Sequence, residues 1–140
     1  MKQFPSRLTF KKYHKPSKKL FNLKEQKTFL PSFGQYGLKA LNYGKLTFKQ
    51  IEAGRRTLRR TTKKLGKINI RVFTYASVTK KPVSSRMGKG KGAHSYWMCP
   101  VRPGQIIYEL SGVSHTISYK AMNQAGSKMP FPTKVIKLTY

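Results

Sequence analysis

The 140-residue sequence predicts an α+β fold: two helices packed on a mixed or antiparallel sheet, with a basic extended N-terminal arm and a long glycine–lysine hairpin loop. Three observations predict it. Short strand candidates recur over Lys67–Phe73, His94–Val101, Gln105–Leu110 and Thr133–Thr139, with the apolar–polar alternation of half-buried strands from Lys67 to Arg71 and from Val135 on. Two other stretches, from Phe48 and from about residue 115, space their apolar side chains by three, four or seven, the period of helices. Residues 1–32 show neither period and interleave cations and prolines with aromatic rings. The division expected is an arm over 1–32 and one domain over 33–140, from which a loop over 82–93 projects.

The charge balance narrows the function. Thirty Lys and Arg face three acids, Glu25, Glu52 and Glu109, for a net charge of +27. A folded domain this one-sided repels itself and calls for a polyanionic partner, either nucleic acid or an anionic membrane surface. No run approaches the ~18 apolar residues of a spanning helix, so membrane insertion is not expected, and the N-terminus lacks the apolar core of a secretory signal. A single cysteine, Cys99, forms no internal disulfide and is read as a small buried hydrophobe in a reducing compartment.

Taken in order, the arm carries Arg7, Lys11, Lys12, His14, Lys15, Lys18, Lys19, Lys24 and Lys27 among Phe4, Phe10, Tyr13, Phe21 and Phe29. An extended segment lying along a phosphate backbone accounts for that mixture. Phe33–Leu41 is a short strand interrupted by Gly34 and Gly37, and Asn42-Tyr43-Gly44 a turn. Thr47 with Gln50 three residues on forms the capping box of the first helix, whose apolar stripe is Phe48, Ile51, Leu58 and Leu65 and whose stop is Gly66. Around the rest of that helix run Lys49, Arg55, Arg56, Arg59, Arg60, Lys63 and Lys64, with Arg56, Arg60 and Lys63 on one face. A merely solvated face mixes signs; this one has only Glu52, so it is read as facing a polyanion.

Lys67–Phe73 is a strand with Lys67, Asn69 and Arg71 on its open side. Val78–Lys81 leads through Pro82-Val83-Ser84-Ser85 into Arg86-Met87-Gly88-Lys89-Gly90-Lys91-Gly92, and His94–Val101 leads away. The glycines permit φ > 0 and close backbone approach, and the cations suit phosphate oxygens. Arg102-Pro103-Gly104 turns the chain into a third strand, Gln105–Leu110. Ser114 is read as the cap of a second helix over roughly 115–126, with Ile117, Ala121, Met122 and Ala125 facing inward, before the last strand.

Catalytic chemistry lacks material. The loop is G-x-G-x-G, not a Walker or dinucleotide spacing, and no Ser or Thr follows its lysines directly. The three acids sit in a tail, a helix and a strand, too scattered for paired carboxylates. His14, His94, His115 and Cys99 have no metal-ligand spacing. His94 and Cys99 share a strand but stand five apart, on opposite faces if it is regular. No catalytic residue, metal or cofactor is expected.

Several motifs together resemble one family. Arg86–Gly92, followed after four residues by Trp97, is similar to a signature of the bacterial and organellar large-subunit ribosomal protein L-sixteen family. Lys63–Phe73 resembles its second signature, with Asn69 where the family has Trp and Thr74 where it has Ala or Pro. Gln50–Arg56 resembles Q-I-E-A-A-R-R, Phe33–Ala40 the S-F-G-S-F-G-L-K-A segment, and Thr9–Lys15 the basic N-terminal motif. Tyr108–Val113 resembles Y-E-M-D-G-V with Ser111 in place of Asp.

The resemblance implies a hammerhead-type α+β fold and a structural place in the large ribosomal subunit. It implies contact with rRNA near the peptidyl-transferase region and help in positioning A-site tRNA, with P-site tRNA as a further candidate, among neighbouring ribosomal proteins. Arg86 matches a loop arginine that is hydroxylated in some bacterial members. On this reading rRNA meets Lys11, Lys12, His14, Lys15, Lys49, Arg55, Arg56, Arg59, Arg60, Lys63, Lys64, Lys67 and Arg71, while Arg86–Gly92 reaches tRNA. The family start aligns near Met1, which leaves no room for an import peptide and implies synthesis where the protein works. The Lys, Phe and Tyr excess favours a mitochondrial genome over the bacterial alternative. Two competing classes are a DNA-architectural protein, which needs an apolar minor-groove wedge, and a cationic membrane-surface protein, which needs a wider apolar helix face.

Overall fold

The computed structural model describes residues 5–6, 11–14, 23 and 29–138. Its elements are β1 (Tyr36–Ala40), β2 (Gly44–Thr47), α1 (Phe48–Thr61), β3 (Lys67–Ile70), β4 (Ala76–Lys80), β5 (Ala93–Val101), β6 (Ile106–Ser111), α2 (His115–Gly126) and β7 (Thr133–Lys137). The α+β class holds, with the strands divided between two sheets. A four-stranded sheet runs β3-β6-β1-β7 and a three-stranded sheet β2-β5-β4. Every pairing is antiparallel.

The division follows burial. β6 is buried from Ile106 through Leu110, as a strand covered on both faces must be, and it takes a central place between β1 and β3. β5 is exposed along its first half and pairs instead with β2 and β4. The turn at Gly104 (φ 92) therefore carries the chain from one sheet to the other and does not close a hairpin. The same crossing explains why the strand expected over Lys67–Phe73 stops at Ile70. The Arg71 amide still bonds to the Ile107 carbonyl at 2.9 Å, and by Tyr75 the chain bonds to Met98 at 3.1 Å. β2 is a strand that the sequence pattern does not announce: it starts at Gly44, the last residue of the expected turn, and it pairs Leu46 with Cys99 and buries both.

The capping box of α1 forms: the Gln50 amide donates to Thr47 Oγ1 at 3.4 Å and the Thr47 amide to Gln50 Oε1 at 2.9 Å. Ile51, Gly54 and Leu58 face the core. The helix ends one turn earlier than its apolar stripe predicts. Lys63 (φ 51) and Lys64 (φ 66) turn left-handed, Leu65 is 60% exposed, and Gly66 (φ 71) packs where a Cβ would lie 2.4 Å from the Ser111 carbonyl oxygen. That backbone crossing stops the helix before Leu65 can reach the core, and it removes Lys63 from the face of Arg56 and Arg60. α2 has the expected bounds, but Ser118 and not Ile117 occupies the inward position, and Ser114 makes no side-chain cap bond. Ser118 fits because its hydroxyl donates to the Val113 carbonyl at 3.2 Å. The core joins both sheets and both helices through Leu38, Leu46, Ile51, Leu58, Leu110 and Met122.

Candidate nucleic-acid interface

The two described acids are both consumed inside the protein. Glu109 is fully buried, yet its carboxylate accepts the Ser32 amide at 3.2 Å, the Phe33 amide at 2.6 Å and the Arg71 guanidinium. The Arg71 guanidinium also lies 5.0 Å from the centre of the Phe33 ring. This knot pins the chain where it enters β1. It also turns Arg71 inward, with 17% of its side chain exposed, whereas alternation had set it on the open side of a strand. The signal for the knot was present: one acid in an otherwise apolar, fully buried strand requires a cation and amide donors.

Glu52 is the second acid. Arg55 binds it through two nitrogens at 2.8 and 2.6 Å, and Arg56 Nε reaches it at 3.0 Å. Hydrogen bonding from Arg55, then Arg56, outweighs partial desolvation and holds its carboxyl at about 2. Arg59 reaches the Gly66 carbonyl at 3.4 Å, and Arg60, Lys63, Lys64 and Lys67 stand exposed beyond it. Lys49 is exposed on the first turn of the same helix.

The loop joining β4 to β5 has backbone reasons for its glycines. Gly88 (φ 100), Lys89 (φ 52) and Gly90 (φ 73) turn left-handed in succession, and a Cβ at Gly92 would lie 2.8 Å from the Lys80 carbonyl. Arg86, Met87 and Lys89 are exposed at its tip, Met87 to 96%. Lys91 differs from them. Its Nζ donates to the Tyr13 carbonyl, while Lys12 Nζ donates back to the Lys91 carbonyl at 3.2 Å. Ser77 Oγ donates to the Lys11 carbonyl, and Lys81 Nζ to the Gly88 carbonyl at 2.6 Å. Residues 11–14 thus lie against the base of the loop, with His14 exposed beside them. Lys15, expected in the same set, lies outside the described residues.

His94 bonds through Nδ1 to Ser77 Oγ at 2.7 Å, and its ring lies 4.5 Å from that of Trp97. The strand is not regular there. Ser95 is skipped between the pairs Thr79–His94 and Val78–Tyr96, and the slip shifts the parity on which side-chain faces were assigned. Cys99 is buried, and burial pushes its thiol up to about 11, so it is neutral at ordinary pH and no nucleophile. Among the described residues no group of three His, Cys, Asp or Glu could hold a metal ion, and no helix is long and apolar enough to cross a membrane.

The described acids are paired within the chain, and cations face outward on a helix, its following turn and a hairpin tip, so the class is a strongly basic α+β domain. Comparison with known proteins gives that class a family. A family model described as ribosomal protein L16p/L10e matches residues 7–136. The chain is 51% identical to the large ribosomal subunit protein uL16 of Psychrobacter arcticus over 108 residues, 77% of this chain and 79% of that one. It is 41% identical to the uL16 protein of Pseudoalteromonas atlantica over 135 residues, 96% of each chain. The chain belongs to the ribosomal protein L16p/L10e family, and it is not an enzyme.

Proposed function

We propose that this protein is a structural constituent of the large ribosomal subunit that binds its rRNA near the peptidyl-transferase region and helps position A-site tRNA. One observation carries the reading: among the described residues, the exposed cations of α1, of the turn after it and of the loop have no acids left to answer them. Both described acids are already paired, so the outward charge of the domain must be met by a polyanion. Lys49, Arg59, Arg60, Lys63, Lys64 and Lys67 form the rRNA side, with Lys11, Lys12 and His14 running to the loop base. Arg55 and Arg56 join them only through faces not taken by Glu52, and Arg71 acts indirectly, by holding Glu109. Arg86 and Lys89 form the part directed at tRNA. A membrane-surface role does not suit α1, because its apolar residues Ile51 and Leu58 are already buried in the core.

The composition, rich in Lys, Phe and Tyr, favours a mitochondrial ribosome over a bacterial one. Sedimentation tests the proposal. The tagged protein should travel with large subunits through a gradient at moderate salt, and protein remaining at the top would refute it. Arg86→Ala with Lys89→Ala should leave that co-sedimentation intact and slow tRNA accommodation on the purified ribosomes.

A further inference from the structure

β2 ends opposite Met98, so the first half of β5 has β4 on one side and, among the described residues, no strand on the other. The start of α1 stands across that gap. Between them lies a cleft of about 570 Å³ with a mostly apolar lining, bordered by Phe48, Lys49, His94, Ser95, Tyr96 and Trp97, the His94 ring lying against that of Trp97. Its volume falls among those of ordinary small-ligand sites, roughly 300–1,000 Å³. Tyr96 is 47% exposed, and β2 leaves this edge of the strand uncovered.

We infer that this cleft receives one unpaired nucleobase of an RNA strand. The inference rests on the RNA-binding reading above and adds a site to it. Phe48, Tyr96 and Trp97 bring three aromatic residues to the cleft, and base–aromatic stacking tolerates any base. The open edge of β5 offers main-chain donors and acceptors to the rim of the base, as a sheet edge offers them to another strand. Lys49, which also borders the cleft, supplies a cation for the phosphate flanking an inserted base. His94, held by Ser77, fixes the tilt of Trp97 through ring contact and so shapes one wall in advance. The net charge of +27 selects a polyanion over a neutral peptide as the occupant.

Trp97 is the only tryptophan in the chain, so its emission reports on this cleft alone. The full chain is titrated with dye-labelled hexa-adenosine RNA, with an abasic hexamer of the same backbone, with a duplex of the same sequence paired throughout, and with a hexaglutamate peptide. Hexa-adenosine should quench Trp97 and the other three should not, although the duplex and abasic strands still bind by dye anisotropy. Tyr96→Ala should weaken hexa-adenosine binding about tenfold, equivalent to about 1.4 kcal/mol, and Tyr96→Phe should restore it. Tyr96 is half exposed, so the alanine variant is expected to fold, which near-ultraviolet circular dichroism checks. Equal quenching by abasic RNA, duplex or hexaglutamate overturns the inference, as does RNA binding that leaves Trp97 unchanged. If no RNA binds at all, the RNA reading falls with it.

Discussion

Glu109 shows how much one residue can organise. Its carboxylate is dry, and it survives there because Arg71 and two main-chain amides surround it. Glu109→Ala leaves the mostly buried Arg71 charge without its partner, so chemical denaturation should show a loss of about 3–5 kcal/mol. Adding Arg71→Met should recover part of that loss. Gly54 makes a second residue-scale case. A Cβ there would lie 2.5 Å from the Tyr108 hydroxyl, which donates to the Ile51 carbonyl at 2.6 Å. Gly54→Ala should cost about 1–3 kcal/mol by overpacking. In the Tyr108→Phe background the same change should cost less, because its nearest obstacle is gone; a double-mutant cycle by thermal melting reads the coupling. Glu52 supplies a pH dependence. Its pKa is depressed from 4.5 to about 2, so the stability it adds is present above about 4.5 and is lost as pH falls toward 2. Glu52→Gln should therefore cost about 0.3–0.5 kcal/mol per exposed ion pair at pH 7. Near pH 2 the variant and the parent should melt together.

At the scale of elements, the loop and the arm share a fastening. Lys91 and Lys12 exchange bonds across it, while Arg86 and Lys89 stand exposed at the tip. Lys91→Ala should loosen the loop base without touching its tip. Tryptic cleavage at Arg86 should rise about fivefold, the factor implied by losing about 1 kcal/mol of hydrogen bonding. Lys89→Ala should leave cleavage at Arg86 near the parent rate. The capping box of α1 was legible in Thr47 and Gln50 because it depends only on residues three apart. The early end of α1 was not legible, since the Gly66 turn is imposed by Ser111 and Val113, which are distant in the chain.

For the whole molecule, affinity should be governed by counterion release. The logarithm of affinity for RNA should fall linearly with the logarithm of salt, with a slope of about 0.7–0.9 per phosphate neutralised. Removing Arg60, Lys63 and Lys64 together should flatten that slope by about two to three. An unchanged slope in filter binding would mean that these cations meet no phosphate. The family and the sites of greatest charge could be read directly from motif order and composition. The cleft beside Trp97 could not, because it needs β2 to stop at Thr47, α1 to begin at once and a bulge to fall at Ser95.

By itself the sequence determined the α+β class, the position of both helices, the strands flanking the glycine–lysine loop and the demand for a polyanionic partner. Each follows from local periodicity, local capping or summed charge, none of which requires knowing what packs where. Only the tertiary structure decided that there are two sheets, that Arg71 turns inward, that Lys91 is a fastening and that Leu65 is left in solvent. Those outcomes depend on long-range pairing: β6 buried on both faces draws Arg71 to Glu109, and the crossing at Gly66 ends the helix. Burial is a property of neighbours distant in sequence, and a pattern of periods does not contain it.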